Sequence, residues 1–366
     1  MRGKRRNSPE LPDASAGTPE ERRERARQDF TFFRRAYFPH YCLVGGDSRL
    51  HEWLDAELPR MADAPEGVRL AIAAPRGEAK STFVSLFFVL WAVLTGRKHY
   101  ILIIADALEQ AASLLGAVKD ELEFNEALKR DFPGAGKGHV WNVGTVVTPG
   151  NVKIQALGAG KRMRGLRHGP HRPDLIVLDD LENDGNVDKP EQRDKLQSWL
   201  QKTVLNLGAA DGSMDVVYVG TLLHYDSVLA RTLRKPLWKA RTFRSILRWP
   251  DRMDLWDEWE SLLSSRGEAE ARRFYRQHRV KMEAGAEVSW PASRPLYRLM
   301  CLRAEDREAF DSEQQNDPLS TNEAPFNGCI TFWVDRSRDW LLFGAVDPSL
   351  GKQGAGRDPS AILVGG

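Results

Sequence analysis

Two clusters of chemically capable side chains stand far apart in this sequence. The first is Ala74-Pro75-Arg76-Gly77-Glu78-Ala79-Lys80-Ser81-Thr82, and the second is Asp179-Asp180-Leu181-Glu182. A lysine ammonium can neutralise the outer oxygens of a polyphosphate, a serine hydroxyl can ligate Mg²⁺, and the N–H groups of a tight loop entering a helix can surround the phosphates. In an acidic cluster at a strand end, one carboxylate suits the metal and a neighbour suits polarising a water. The nucleotide-binding candidates are therefore Pro75, Arg76, Gly77, Glu78, Ala79, Lys80, Ser81 and Thr82. Ser81 and Asp179 are the Mg²⁺ candidates, and either Asp180 or Glu182 would orient the water. The pattern G-x-x-x-x-G-K-[ST] lacks both glycines here, because Ala74 and Ala79 take their places. A basic turn and a solvated acidic turn are the plain alternatives, and the order of the two half-motifs argues against them.

The flanking segments supply what such a site needs. Residues 68–73 form an apolar run that predicts a buried strand, and 83–94 have the length and periodicity of a buried helix. Residues 174–179 and 216–221 predict strands that deliver the acids and a Gly220-Thr221 pair, and 99–105 predict another. Helices are expected over 108–129, 189–207, 255–263, 268–283 and 305–316, a short one from Asp226, and a hairpin over 143–156. Residues 238–246 predict a further strand. Thr18-Pro19-Glu20-Glu21 opens a helix with Thr at the N-cap, which should run to about Tyr37. Strands separated by helices point to an α/β protein with a mostly parallel sheet flanked by helices.

Bulk properties set limits. The chain has 366 residues and a formal charge of +2, so any nucleic-acid contact must come from local patches. Its 3 cysteines are scattered and never form C-x-x-C, which argues against disulfides and a zinc site. No apolar run is long enough to span a membrane, and the basic start lacks the apolar segment of a secretory signal. Residues 1–17 read as a disordered basic tail. The most basic internal stretch, 158–172, holds Arg164 and Arg167, candidates for contact with DNA or with a nucleotide in a neighbouring subunit.

With these motifs in order, the sequence resembles the large terminase subunits of tailed bacteriophages. The family's phosphate loop often departs from the glycine pattern and carries an Arg four residues before its Lys, as Arg76 precedes Lys80. Further matches are Gly220-Thr221 ending a strand, Arg164-Gly165 in a basic loop, Glu313-Gln314-Gln315-Asn316-Asp317-Pro318, and a strand ending in Asp347-Pro348-Ser349.

The resemblance implies a P-loop NTPase of the ASCE/RecA-like type, which hydrolyses ATP with Mg²⁺ to package double-stranded DNA into proheads. In that reading Arg76 stabilises transition-state charge in cis and Thr221 senses the γ-phosphate. The aromatic stretch 38–58, with Phe38 or Tyr41, lies where the family holds adenine. Domains are expected at 18–304 (ATPase), 305–335 (linker) and 336–366, the first strands of an incomplete ribonuclease H-like nuclease. There Asp347 is the first ligand of a site for two divalent ions, Mg²⁺ or Mn²⁺, that would need completing. Implied partners are DNA, a small terminase subunit, a portal protein and further copies in a ring, with no membrane, in the host cytoplasm. A helicase-like ATPase and a non-catalytic DNA-binding or assembly remnant are the competing expectations.

Overall fold

The computed structural model describes residues 17–42 and 44–318 in full, together with the backbone of two strands near the end of the chain. By its internal contacts the chain divides into two compact units, residues 1–320 and 321–366.

The first unit is built on eight strands: β1 (Arg69–Ala73), β2 (Tyr100–Ala105), β3 (Val140–Trp141), β4 (Thr145–Val147), β5 (Lys153–Gly158), β6 (Leu175–Asp179), β7 (Asp215–Gly220) and β8 (Lys239–Thr242). Their order is β3-β4-β5-β2-β6-β7-β1-β8. All pairings from β5 to β8 are parallel, and the β3-β4-β5 edge is antiparallel, which includes the expected hairpin. The four central strands β2, β6, β7 and β1 are apolar on both faces, as a helix-covered parallel sheet requires. Alternation divides their side chains between two cores. Leu70, Ile72, Ile101 and Ile103 join one, with the Phe83–Val93 segment and the N-terminal helices. Ala71, Ala73, Leu102, Ile104, Ile176 and Leu178 join the other. A third cluster, around Trp256, Trp259, Leu299 and Phe310, is formed by the helices Met253–Arg266, Glu268–Glu283, Leu296–Glu305 and Arg307–Glu313.

Register determines where the chemistry collects. Ala73 pairs with Gly220 and Asp179 with Val219, so β1, β6 and β7 all end at the same edge of the sheet. The carboxyl ends of parallel strands are where open α/β sheets bind ligands.

Several expected helices differ from their expected bounds. The first divides into Pro19–Gln28 and Phe30–Tyr37, because Asp29 leaves helical φ/ψ and its carboxylate accepts from Phe32 N at 2.8 Å. The helix expected over 108–129 divides into Leu108–Phe124 and Glu126–Asp131 at Asn125, whose Oδ1 accepts from Ala127 N and Leu128 N. The helix expected over 305–316 is present as the shorter Arg307–Glu313, N-capped by Asp306, which accepts from Ala309 N, and the separate helix Leu296–Glu305 precedes it. Asn125 also donates from Nδ2 to Tyr37 O at 2.8 Å. Asn125→Ala is expected to lower stability by about 1–2 kcal/mol in urea unfolding, the loss of one cap plus one bridging bond.

The expected linker also needs correction at its start. Residues 305–318 pack into the first unit, anchored by Phe310 in the third core and by polar side chains that bind loop backbone. The second unit shows two antiparallel strands, β11 (Phe343–Asp347) and β12 (Ala361–Gly365), with Asp347 opposite Ala361. The side chain of Asp347, the basic tail and the remainder of the expected nuclease lie outside the described residues. Among the described residues that follow β8 in sequence, β9 (Ile246–Arg248) and β10 (Glu287–Val288) form a small antiparallel pair in the first unit. Among the described residues no helix is long and apolar enough to cross a membrane.

Candidate phosphate-binding site

The loop after β1 and the ends of β6 and β7 meet on Lys80. Its ammonium is 7 % exposed, lies 3.1 Å from Asp180 Oδ2, and donates to Thr221 Oγ1 at 3.2 Å. Thr221 in turn donates to Ala74 O at 3.1 Å, tying the end of β7 to the first residue of the loop. One residue on, Ser81 Oγ donates to Asp179 Oδ1 at 2.9 Å, and Ser85 Oγ donates to the other oxygen of the same carboxylate. Residues Thr82–Phe88 wind as a π-helix before the α-helix Val89–Leu94. Ser81 and Ser85 both face Asp179 from the start of that helix. Ser85 was not among the expected site residues, and its spacing of four from Ser81 is the signal that points to it.

Asp179 is fully buried, and burial together with the neighbouring Asp180 pushes its carboxyl up to about 6. A cation is what such a group calls for. The donor set fits Mg²⁺, which takes oxygen ligands and is usually held by one or two carboxylates plus phosphates. The hydroxyl of Ser81 and the carboxylate of Asp179 are hard oxygens already side by side. Among the described residues no group of three or more His, Cys, Asp or Glu could hold a metal alone.

Two of the four non-glycine residues at positive φ among the described residues lie here. Ala79 has φ +55° and Asp180 has φ +46°, left-handed conformations that cost a non-glycine residue roughly 1–2 kcal/mol. Ala79 thus holds a left-handed conformation that favours glycine, at a position where the phosphate-loop pattern has glycine. Ala79 precedes Lys80 and Asp180 is its ion-pair partner, so both left-handed residues adjoin the same contact.

Beside the loop lies a cavity of ≈ 170 Å³, lined among others by Tyr41, Gly46, His51, Ala79, Thr82, Phe83 and Trp290. His51 stacks on Phe83 with centroids 4.3 Å apart. Its Nδ1 accepts from Ser48 N and its Nε2 donates to Glu78 O at 2.9 Å, so the ring is fixed in orientation against the loop. Tyr41 borders this cavity, whereas Phe38 is fully buried against Phe33 and Phe87 and faces no ligand.

No protein-family model and no curated protein matches the sequence. Two solved structures of similar arrangement are forms of the large terminase ATPase domain of Thermus phage P74-26. One is 15% identical over 72% of this chain and 92% of that domain, with TM-score 0.35. The other, an arginine-to-alanine mutant of it, is 13% identical over 69% of this chain and 90% of that one, with TM-score 0.32. The likeness is remote, and the functional reading rests on the site's own geometry.

The remaining candidates fall in different places. Glu182 accepts from Val228 N at 2.7 Å, Leu229 N at 3.0 Å and Tyr218 Oη at 3.1 Å, so both its oxygens hold the start of helix Val228–Leu233. Arg76 is exposed and pairs with Glu313, while its N–H donates to Glu313 O at 2.9 Å. Pro75 and Glu78 are buried in the loop. Arg164 and Arg167 are exposed and make no ion pair among the described residues; buried Met163 and half-buried Leu166 anchor their loop to the second core.

Proposed function

We propose that this chain is an ATP-hydrolysing subunit that moves double-stranded DNA, in the manner of the packaging terminases it resembles. The observation that carries the ATPase reading is the convergence on Lys80 of Asp180 and Thr221, with Ser81 bound to Asp179 one residue away.

The steps follow from those contacts. A triphosphate arriving at the loop offers Lys80 phosphate oxygens in place of Asp180, and the ammonium then neutralises charge that grows in the transition state. Release from Lys80 leaves Asp180 as a free carboxylate beside the reacting phosphate, positioned to accept a proton from water. Ser81 and Asp179 would hold Mg²⁺, which when bound supplies charge neutralisation across the outer phosphates. Thr221, bonded to both Lys80 and Ala74, senses the displacement of the ammonium and passes it to the end of β7. Tyr41 and Trp290 give the adjoining cavity aromatic surfaces suited to a nucleobase.

Coupling to DNA rests on the resemblance and on the exposed Arg164 and Arg167, whose basic loop runs into β6. The same reading gives the chain a small terminase subunit, a portal and further copies of itself as partners, in the host cytoplasm. It assigns Asp347 to nuclease chemistry, which a DNA-degradation assay with Mn²⁺ and Asp347→Ala addresses separately. The deciding experiment is phosphate release from MgATP by the purified chain with and without double-stranded DNA. Turnover stimulated by DNA is expected. Release at background in both conditions would instead favour a non-catalytic nucleic-acid-binding role.

A further inference from the structure

Three consecutive residues of the phosphate loop meet three points of the segment 289–314. Arg76 is held by Glu313 through both its side chain and its N–H. Glu78 is 1 % exposed and accepts from Ser289 Oγ at 3.2 Å, while its other oxygen has no hydrogen-bond partner. Between them, a Cβ added to Gly77 would stand 1.8 Å from Nη2 of Arg294. Gly77 is required by its backbone, at φ +79°, and the Arg294 guanidinium lies against it.

Arg294 is itself held in place. Its N–H donates to Trp290 O at 2.8 Å, and Nη1 donates to Gln314 Oε1. Gln314 also accepts from Ser245 Oγ at 3.0 Å, so the acceptor is fixed from a second side. The guanidinium is half-buried and forms no ion pair among the described residues. Burial works against its charge, and Glu78 and Glu313 are the carboxylates that offset this. A planar, permanently charged group pressed on a phosphate loop, with no carboxylate bound to it, favours a polyanion there.

The same segment touches the sheet. Asn316, at φ +49°, accepts at Oδ1 from Leu222 N, the residue after Thr221, and donates from Nδ2 to Phe243 O, each at 2.8 Å. Residues 313–316 thus contact both the phosphate loop and the strand end that carries Thr221.

We propose that Arg294 is a positioning residue for the phosphate loop, which with Gln314 ties the loop to the helical region 246–316 and couples triphosphate binding to the placement of that region. This rests on the ATPase reading above. Arg294 acts through Gly77 and Gln314 and is given no contact with the reacting atoms.

The test uses the full chain with Arg294→Ala, Arg294→Lys and Gln314→Ala, read by amide hydrogen exchange and by MgATP kinetics. Arg294→Ala is expected to speed exchange over 74–83 about tenfold and leave 153–158 unchanged, because the guanidinium packed on Gly77 and its bond to Gln314 are both lost. The same variant should raise KM about tenfold with kcat within about threefold, since ground-state and transition-state binding weaken together. Gln314→Ala should give a smaller shift of the same kind. Arg294→Lys should recover part of KM and little of the exchange protection, because the ammonium keeps the charge without the planar fork. Unchanged exchange over 74–83 in Arg294→Ala, or an equal rise over 153–158, would overturn the positioning role. If the wild type turns over ATP and Arg294→Ala matches it in both readouts, the positioning role falls and the ATPase reading stands. If loop protection depends on Arg294 while the wild type neither binds nor hydrolyses MgATP, the ATPase reading falls and the tie between loop and helices stands.

Discussion

Replacing Lys80 by alanine is expected to lower ATP turnover at least ~10³-fold. The reason is that, among the described residues, the ion pair and hydrogen bond of Asp180 and Thr221 at the inner half of the loop converge on the Lys80 ammonium. Arg76 is engaged by Glu313, and Arg294 lies on the outer half. Removing the ammonium also leaves Asp179 and Asp180 adjacent with no opposite charge beside them, which makes a further anion less welcome. Binding of a fluorescent ATP analogue should therefore weaken along with turnover. Lys80→Arg should restore part of the binding but little of the rate, because a planar guanidinium does not fit the position of a compact ammonium 7 % exposed to solvent. If Lys80→Ala hydrolysed ATP within about threefold of the wild type, the hydrolytic centre would lie elsewhere, since taking a cation away from the phosphates in a closed site costs far more than that.

What could be read from the sequence, and what could not, follows from the range of the forces involved. The meeting of the phosphate loop with the acidic strand was legible because β1, β6 and β7 are unbroken apolar runs, which only a doubly covered parallel sheet can bury, and their chemistry sits at the strand ends. The left-handed turn at Ala79 was legible only as a missing glycine, because the pattern records the usual residue for a conformation and not the conformation itself. The helix breaks at Asp29 and Asn125 were hidden. In each case a short polar side chain competes with the helix by capping the next one. Arg294 gave no signal, because its neighbours Gly77 and Gln314 are brought to it by the fold. The edge strand β8 is Lys-Ala-Arg-Thr, exposed throughout, and is held by backbone pairing with β1 rather than by any apolar side.

The choice between Asp180 and Glu182 was open in the sequence for the same reason. Glu182's partners lie 36, 46 and 47 residues away, at Tyr218, Val228 and Leu229. With those partners in view the two acids are expected to behave in opposite ways. Asp180→Asn keeps the shape of the side chain and removes its basicity. Turnover should fall about 10²–10⁴-fold, the usual contribution of a positioned proton acceptor, with the melting temperature within a few degrees of the wild type. Glu182→Gln substitutes an NH₂ for one of the oxygens that receive two backbone N–H groups and a tyrosine hydroxyl. That loss of charge-assisted bonds should cost about 1–3 kcal/mol of stability. In a chain of this size it appears as a drop of several degrees in melting temperature, roughly 2–4 °C for each kcal/mol. Turnover per folded molecule should stay within about threefold, because the carboxylate acts on helix Val228–Leu233 and not on water. Thermal melts and initial rates on the two variants, measured side by side, distinguish the roles. A Glu182→Gln protein that melts like the wild type but has lost turnover would transfer the proton-accepting role from Asp180 to Glu182.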